Sequence, residues 1–121
     1  MKKKILIVDD EKEMVALLKE RLDPFYNVLT AFDGVAGYEA AVREVPHLIL
    51  LDIRMPKRNG YDVLTDIRKN EITRKIPVVM LSTVAETNSI YLSQDLGMSD
   101  YLIKPVHLEN LPELVRHYTE D

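Results

Sequence analysis

Short apolar runs rich in branched residues alternate with longer segments in which apolar positions recur every three or four residues. The runs are Ile5–Val8, Leu48–Leu51 and Ile76–Leu81, with weaker ones at Val28–Thr30 and Tyr101–Ile103. A strand that is apolar on both faces suits a sheet covered on both sides, which points to parallel pairing. Between the runs, Met14, Leu17, Leu18 and Leu22 fall at helical spacing, and Val35, Tyr38, Ala41, Val42 and Val45 trace a second stripe. Tyr61, Leu64 and Ile67 make a third, with Asp62 and Arg68 opposite; residues Glu86–Leu96 make a fourth, closed by Gly97. Pro112 forbids a continuous helix from Leu108. The last helix is therefore read with Asn110 as N-cap, Pro112 in the first turn and Glu113 at N3, a capping-box-like start, ending near Tyr118. Strict alternation of five strands and five helices predicts an α/β domain, a doubly wound (βα)5 unit with a five-stranded parallel sheet, right-handed crossovers and helices on both faces. The pattern uses residues 1–121 without repeat or linker, so one domain is expected.

Composition narrows the chemistry. The 121 residues carry 16 Lys+Arg against 20 Asp+Glu, a formal net charge of −4, which opposes direct nucleic-acid binding. There is no cysteine, so disulfides, thiol catalysis and thiolate-bound metals are excluded. The opening Lys2–Lys4 and Ile5–Val8 imitate a signal peptide, but Asp9-Asp10-Glu11 ends the apolar run far short of the roughly 7–15 residues required. No apolar stretch approaches the roughly 18 residues of a membrane span, and the chain reads as soluble and cytoplasmic.

The strand ends carry the chemistry. In a parallel sheet all C-terminal ends share one edge, where ligands bind. The residues just beyond the strong strands are Asp9-Asp10, Asp52, Ser82 and Lys104. If the strand order is 2-1-3-4-5, the first and third strands flank the switch point, and Asp9 and Asp10 are then neighbours of Asp52. Three crowded carboxylates need raised pKa values or a cation. Hard oxygen ligands with room for water and phosphate suit Mg²⁺. With charge so balanced, one carboxylate can attack phosphorus, and Lys104 offsets the remaining charge. An aspartyl nucleophile gives an acyl phosphate, reactive enough to be a transient signal.

Ile-Val-Asp9-Asp10, Leu-Asp52-Ile-Arg-Met-Pro56, Ser82 and Tyr101-Leu-Ile-Lys104-Pro105 resemble the receiver domain of two-component response regulators, in order and approximate spacing, over the whole chain. The resemblance implies the flavodoxin-like, CheY-like fold and makes Asp52 the phosphoacceptor. It makes Asp10 a direct ligand of Mg²⁺ (or Mn²⁺), Asp9 a ligand through water, and the backbone carbonyl of Arg54 a further ligand. It gives Lys104 and Ser82 contacts with the phosphoryl group and makes Ser82 and Tyr101 the switch residues. The implied donor is the phosphohistidine of a sensor histidine kinase or phosphotransfer protein. The implied output is a downstream protein or effector domain on the face of helix 4, strand 5 and helix 5. Such a domain is a signalling element that assists its own phosphorylation and dephosphorylation, not an enzyme with external turnover. The family also has a cis bond at the position of Lys104-Pro105, which the sequence leaves open.

Plainer readings exist for most of these residues. Asp10 is a plausible helix cap, Asp52 a loop opener, and Lys104 a solvated lysine. Asn59-Gly60 reads as a hairpin signal alone, but the stripe after it argues for a turn feeding a helix. Arg54, Lys57 and Arg58 form a basic patch suited to a solvated loop or to an acidic partner, and His47, His107 and His117 show no common site. Val106 and Met98-Ser99 depart from the family pattern on the partner face. Val84, two residues past Ser82, cannot orient water by hydrogen bonding, so a long-lived aspartyl phosphate is expected. Thr87-Asn88-Ser89 are poor helix formers and mark the start of the fourth helix as the soft element. A haloacid dehalogenase-type phosphohydrolase needs an acid where Arg54 stands, and an FMN protein needs a phosphate loop where Asp9-Asp10-Glu11 stands. A phosphorylation-independent interaction module is the alternative, disfavoured because the full acidic set is present.

Overall fold

The computed structural model describes residues 2–83 and 90–120. Its elements run β1 (Lys4–Val8), α1 (Lys12–Leu22), β2 (Asn27–Ala31), α2 (Gly34–Glu44), β3 (Leu48–Asp52), α3 (Gly60–Lys69), β4 (Val78–Thr83), α4 (Ile90–Asp95), β5 (Asp100–Lys104) and α5 (Leu111–Thr119). The strands form one parallel sheet in the order β2-β1-β3-β4-β5. Its two faces carry separate cores, because successive strand residues point to opposite sides. Leu6, Val8, Ile49, Leu51, Val78 and Met80 pack with Ala40, Ala41, Val63, Leu64 and Ile67 of α2 and α3. Ile5, Ile7, Leu48, Leu50, Val79 and Leu81 pack with Val15, Leu18, Leu111 and Val115 of α1 and α5. The alternation is that expected from the runs, and the order is the one implied by the receiver resemblance. No helix among the described residues is long and apolar enough to cross a membrane.

Helix phase differs from the stripes. α1 buries Val15, Leu18 and Leu22 while Leu17 is 53% exposed. α2 buries Gly34, Gly37, Ala40 and Ala41 and leaves Val35 and Val45 exposed. The cause is close approach. A Cβ on Gly37 would lie 2.5 Å from Val8 Cγ1, and one on Gly34 would lie 2.0 Å from the Arg58 carbonyl oxygen. Small residues let α2 settle on the sheet and on the β3–α3 loop, and its branched residues turn outward.

Several local expectations also change. The N-cap of α1 is Glu11, not Asp10, and no side chain caps it. Asn110 is the N-cap of α5 and Pro112 sits in its first turn, but the backbone of Asn110 is already helical and no side-chain cap forms. β4 starts after Pro77, which has no N–H to donate to the ladder. Arg68 is not on a solvated face; it is half-buried and donates to Gly97 and Ile76 carbonyls. Asn59 does feed a helix, accepting from Asp62 N at 3.0 Å as the N-cap of α3. The fourth helix is described over Ile90–Asp95. The expected soft start at Thr87-Asn88-Ser89 and the effect of Val84 lie outside the described residues.

Candidate functional site

The register brings the C-terminal strand ends level. Val8 lies opposite Ala31 on one side and Leu51 on the other, Asp52 opposite Leu81, and Thr83 opposite Lys104. Asp9 N donates to Ala31 O at 3.1 Å, extending the ladder by one residue, and Asp9 Oδ1 accepts from Glu11 N at 3.0 Å. This tight turn carries Asp10 to the exposed rim and keeps Asp9 fully buried. Asp52 ends a strand buried at every position, and the chain beyond it folds back at once. Gly60 N donates to Ile53 O at 2.7 Å, and a Cβ on Gly60 would lie 2.2 Å from the Asp52 carbonyl oxygen. Only glycine lets α3 begin so near the phosphoacceptor candidate.

Asp9, Asp10 and Asp52 each offer a carboxylate oxygen, all within 4.8 Å of one another. Lys104 Nζ closes the group from β5, 2.9 Å from Asp9 Oδ2, 3.1 Å from Asp52 Oδ1 and 2.6 Å from Glu11 Oε1. The contact with Asp9 is an ion pair, and among the described residues the buried Asp9 Oδ2 has no donor other than this ammonium. Burial, reinforced by the neighbouring Asp9 charge, pushes the Asp52 carboxyl up to about 7 against the pull of Lys104. Burial likewise raises Asp9, outweighing the backbone hydrogen bond from Glu11 and the attraction of Lys104. For Lys104, burial alone favours the neutral amine, but Glu11, Asp9 and Asp52 outweigh it and hold the ammonium above the usual lysine value. The pocket thus concentrates negative charge that a single ammonium offsets only in part.

Residues 5–116 match the family model of the response regulator receiver domain. The chain belongs to the response regulator receiver family. The transcriptional regulatory protein CpxR of Klebsiella pneumoniae is 41% identical over 114 residues, which cover 93% of this chain and 47% of that protein. The alkaline phosphatase synthesis transcriptional regulatory protein PhoP of Bacillus subtilis is 40% identical over 106 residues, covering 87% of this chain and 43% of that protein. The chain spans a little under half the length of these curated relatives. Among solved structures, the chemotaxis response regulator CheY4 of Vibrio cholerae has a TM-score of 0.90 at 25% identity, covering 98% of this chain and 99% of that one. The receiver domain of a sensor histidine kinase from Pseudomonas aeruginosa has a TM-score of 0.89 at 28% identity, covering 98% of both chains, with a magnesium ion coordinated in its active-site cleft. Receiver domains are signalling domains that bind Mg²⁺ in an acidic pocket and act between histidine kinases and downstream effectors.

In this receiver, Asp9, Asp10, Asp52 and Lys104 meet as the sequence reading expects. Ser82 is fully buried near the end of β4, and its hydroxyl donates to Thr83 O at 3.1 Å. Tyr101 stands on β5 opposite Met80 and is 40% exposed. Arg54 lies in the loop after β3, exposed and two residues past Asp52. Lys104–Pro105 is cis. The basic patch is tied to acids of its own domain: Lys57 Nζ is 3.5 Å from Asp33 Oδ2, and Arg58 Nη2 is 2.6 Å from Asp66 Oδ2. Sequence reasoning missed Glu11 as a partner of Lys104. Its signal was the third acid of the run after β1, a residue with no strand-end position of its own.

Proposed function

We propose that this receiver accepts a phosphoryl group onto Asp52 from the phosphohistidine of a sensor histidine kinase or phosphotransfer protein, with Mg²⁺ or Mn²⁺ held by Asp9, Asp10, Asp52 and the Arg54 backbone carbonyl. The observation that carries this reading is the gathering of Asp9 and Asp10, just after β1, with Asp52 of β3, two of the three (Asp9 and Asp52) paired with the Lys104 ammonium from β5. The donor set fits the cation: all side-chain ligands are hard oxygens, and the buried Asp9 Oδ2 meets no donor among the described residues other than the Lys104 ammonium, which leaves it lone-pair capacity for a ligand. When bound, the cation supplies charge neutralisation for the carboxylates and for the phosphoryl oxygens.

Asp52 then acts as the nucleophile. Its carboxylate oxygen bonds phosphorus as the P–N bond of the donor breaks, and the electron pair of that bond returns to the imidazole nitrogen. Lys104, seated beside Asp52 Oδ1, faces the phosphoryl oxygens as they arrive. On this reading the Ser82 hydroxyl leaves Thr83 O and donates to them. A hydrogen bond to a charged group contributes about 1.5–3 kcal/mol, whereas reversing a 1:99 population takes roughly 5.5 kcal/mol. The hydroxyl alone is insufficient, so the Lys104 contact and repacking of the exposed Tyr101 complete the switch. A cleft of about 900 Å³ adjoins the site on the side of Asp10 and Lys104, lined also by Met14, Leu18, Pro105 and Val106. The output partner, a downstream protein or effector domain, binds across α4, β5 and α5; the site serves one residue of its own chain in the cytoplasm, without turnover of an external substrate or direct contact with nucleic acid.

Incubation with acetyl phosphate and Mg²⁺, followed by intact-mass measurement of wild type and Asp52→Asn, tests the chemistry. A gain of one phosphate in the wild type only is expected. No gain, or the same gain in Asp52→Asn, would leave the fold as an interaction module.

A further inference from the structure

Lys104 has three carboxylate partners, and one of them has no place in the metal pocket. Asp9 and Asp52 belong to the cation group, whereas Glu11 is the N-cap of α1 and lines the adjoining cleft. Its Oε1 lies 2.6 Å from Lys104 Nζ, nearer than either pocket acid, and the contact is a hydrogen bond as well as an ion pair. The Lys104 side chain is 9% exposed and that of Glu11 is 58% exposed, so the ammonium is held inside the pocket by a hand reaching in from solvent. We propose that Glu11 restrains Lys104: its carboxylate holds the ammonium in the resting receiver and competes for it with the phosphoryl group on Asp52. The inference rests on the phosphoacceptor reading above and deepens it, by making Glu11 a positioning residue that tunes how readily the active state forms.

The competition follows from what each acid can do. A cation in the pocket takes up the charge of Asp9 and Asp52, which weakens their hold on Lys104. Glu11 is outside that group and keeps its claim. A phosphoryl oxygen must therefore draw the ammonium away from Glu11 or share it. Because Glu11 is largely solvated, the pair contributes little in absolute terms, and removing it is expected to shift the active-state equilibrium by about two- to fivefold.

The test uses the full chain with beryllofluoride and Mg²⁺ as the phosphoryl mimic, in wild type, Glu11→Gln and Glu13→Gln. Glu13 is an exposed acid in the first turn of α1, so its variant makes the same change of net charge nearby. Glu11→Gln is expected to bind the mimic about two- to fivefold more tightly than wild type. In metal-free protein it should also speed exchange of the Lys104 ammonium protons, followed by heteronuclear NMR. Glu13→Gln should do neither. Weaker or unchanged binding in Glu11→Gln, unchanged proton exchange, or an equal effect from Glu13→Gln would overturn the restraint while wild-type binding of the mimic keeps the phosphoacceptor reading intact. Failure of wild type itself to bind the mimic would remove both.

Discussion

A methyl group at Gly37 would meet Val8 Cγ1 at 2.5 Å and Cγ2 at 3.0 Å, and Val8 directly precedes Asp9. Val8 is fully buried and β-branched, so it has no rotamer into which to retreat. The helix must lift or the strand must shift. Gly37→Ala is accordingly expected to destabilise the domain by about 1–3 kcal/mol, the cost of overpacking, despite replacing glycine by the best helix former. Urea denaturation decides it, with Glu39→Ala, exposed on the same helix, expected within about 0.5 kcal/mol of wild type. A more stable Gly37→Ala would show that α2 does not depend on this close approach. At the same scale, Asp9, Asp10, Asp52 and Lys104 were readable because each ends or follows an apolar run. The pairing of Glu11 was not, because it depends on how the turn after β1 aims a flexible side chain across to β5.

At the scale of elements, one guanidinium joins three segments. Arg68 of α3 donates from Nε to Gly97 O at 2.9 Å, and from Nη1 to Ile76 O at 2.7 Å and Arg74 O at 3.1 Å. It thereby ties α3 to the start of β4 and to the turn that leaves α4. Burial pulls the guanidinium below its ordinary value, and carbonyl dipoles supply the compensation. Arg68→Met keeps the apolar stem but strands these carbonyls. It is expected to cost about 2–4 kcal/mol in urea denaturation, given about 1.5–3 kcal/mol for each hydrogen bond to a charged group and partial recovery by water. It should also speed hydrogen exchange at Met98 N, which bonds Ser93 O at 2.9 Å in the same turn. Arg68→Lys is expected to restore little, since one ammonium cannot span all three acceptors. A cost below about 0.5 kcal/mol would place the clamp among ordinary surface contacts. The sequence placed Arg68 opposite the apolar stripe because periodicity sees polarity, not the carbonyls that another loop will bring. The phase of α2 escaped for a related reason: hydropathy ranks Val above Gly, whereas close packing on Val8 and Arg58 demanded the glycines. Strands had no such ambiguity, since Leu48–Leu51 and its like are apolar on both faces and leave no phase to choose.

For the whole molecule, the acidic pocket makes stability depend on pH and on cation together. The folded Asp52 carboxyl titrates at about 7, against 3.8 for an ordinary aspartate. Between those values the folded chain holds a proton that the unfolded chain has lost, so unfolding becomes easier as pH rises. The contribution is fully present below about pH 4 and is lost as pH rises through about 7. Asp33 and Glu44 are shifted downward, Asp33 chiefly by the Ala36 N–H it caps and Glu44 chiefly by Lys4. Their contributions run the other way, lost as pH falls, and act below the ordinary carboxylate range. The window from about pH 5 to pH 8 therefore isolates the pocket. In EDTA, wild type is expected to lose on the order of 2–4 kcal/mol of stability across that window relative to Asp52→Asn. Groups common to both proteins cancel in the difference. Mg²⁺ needs the ionised carboxylates, so it should stabilise wild type strongly at pH 8, by about 2.7 kcal/mol at a hundredfold excess over its dissociation constant, and weakly at pH 5. Asp52→Asn should respond less at both. Urea midpoints at pH 5 and pH 8, with EDTA or Mg²⁺, read all of these terms. A wild type equally stable at both pH values in EDTA and indifferent to Mg²⁺ would mean that the three carboxylates do not share one ionisation problem, and the proposed metal-dependent phosphoryl chemistry would lose its physical basis.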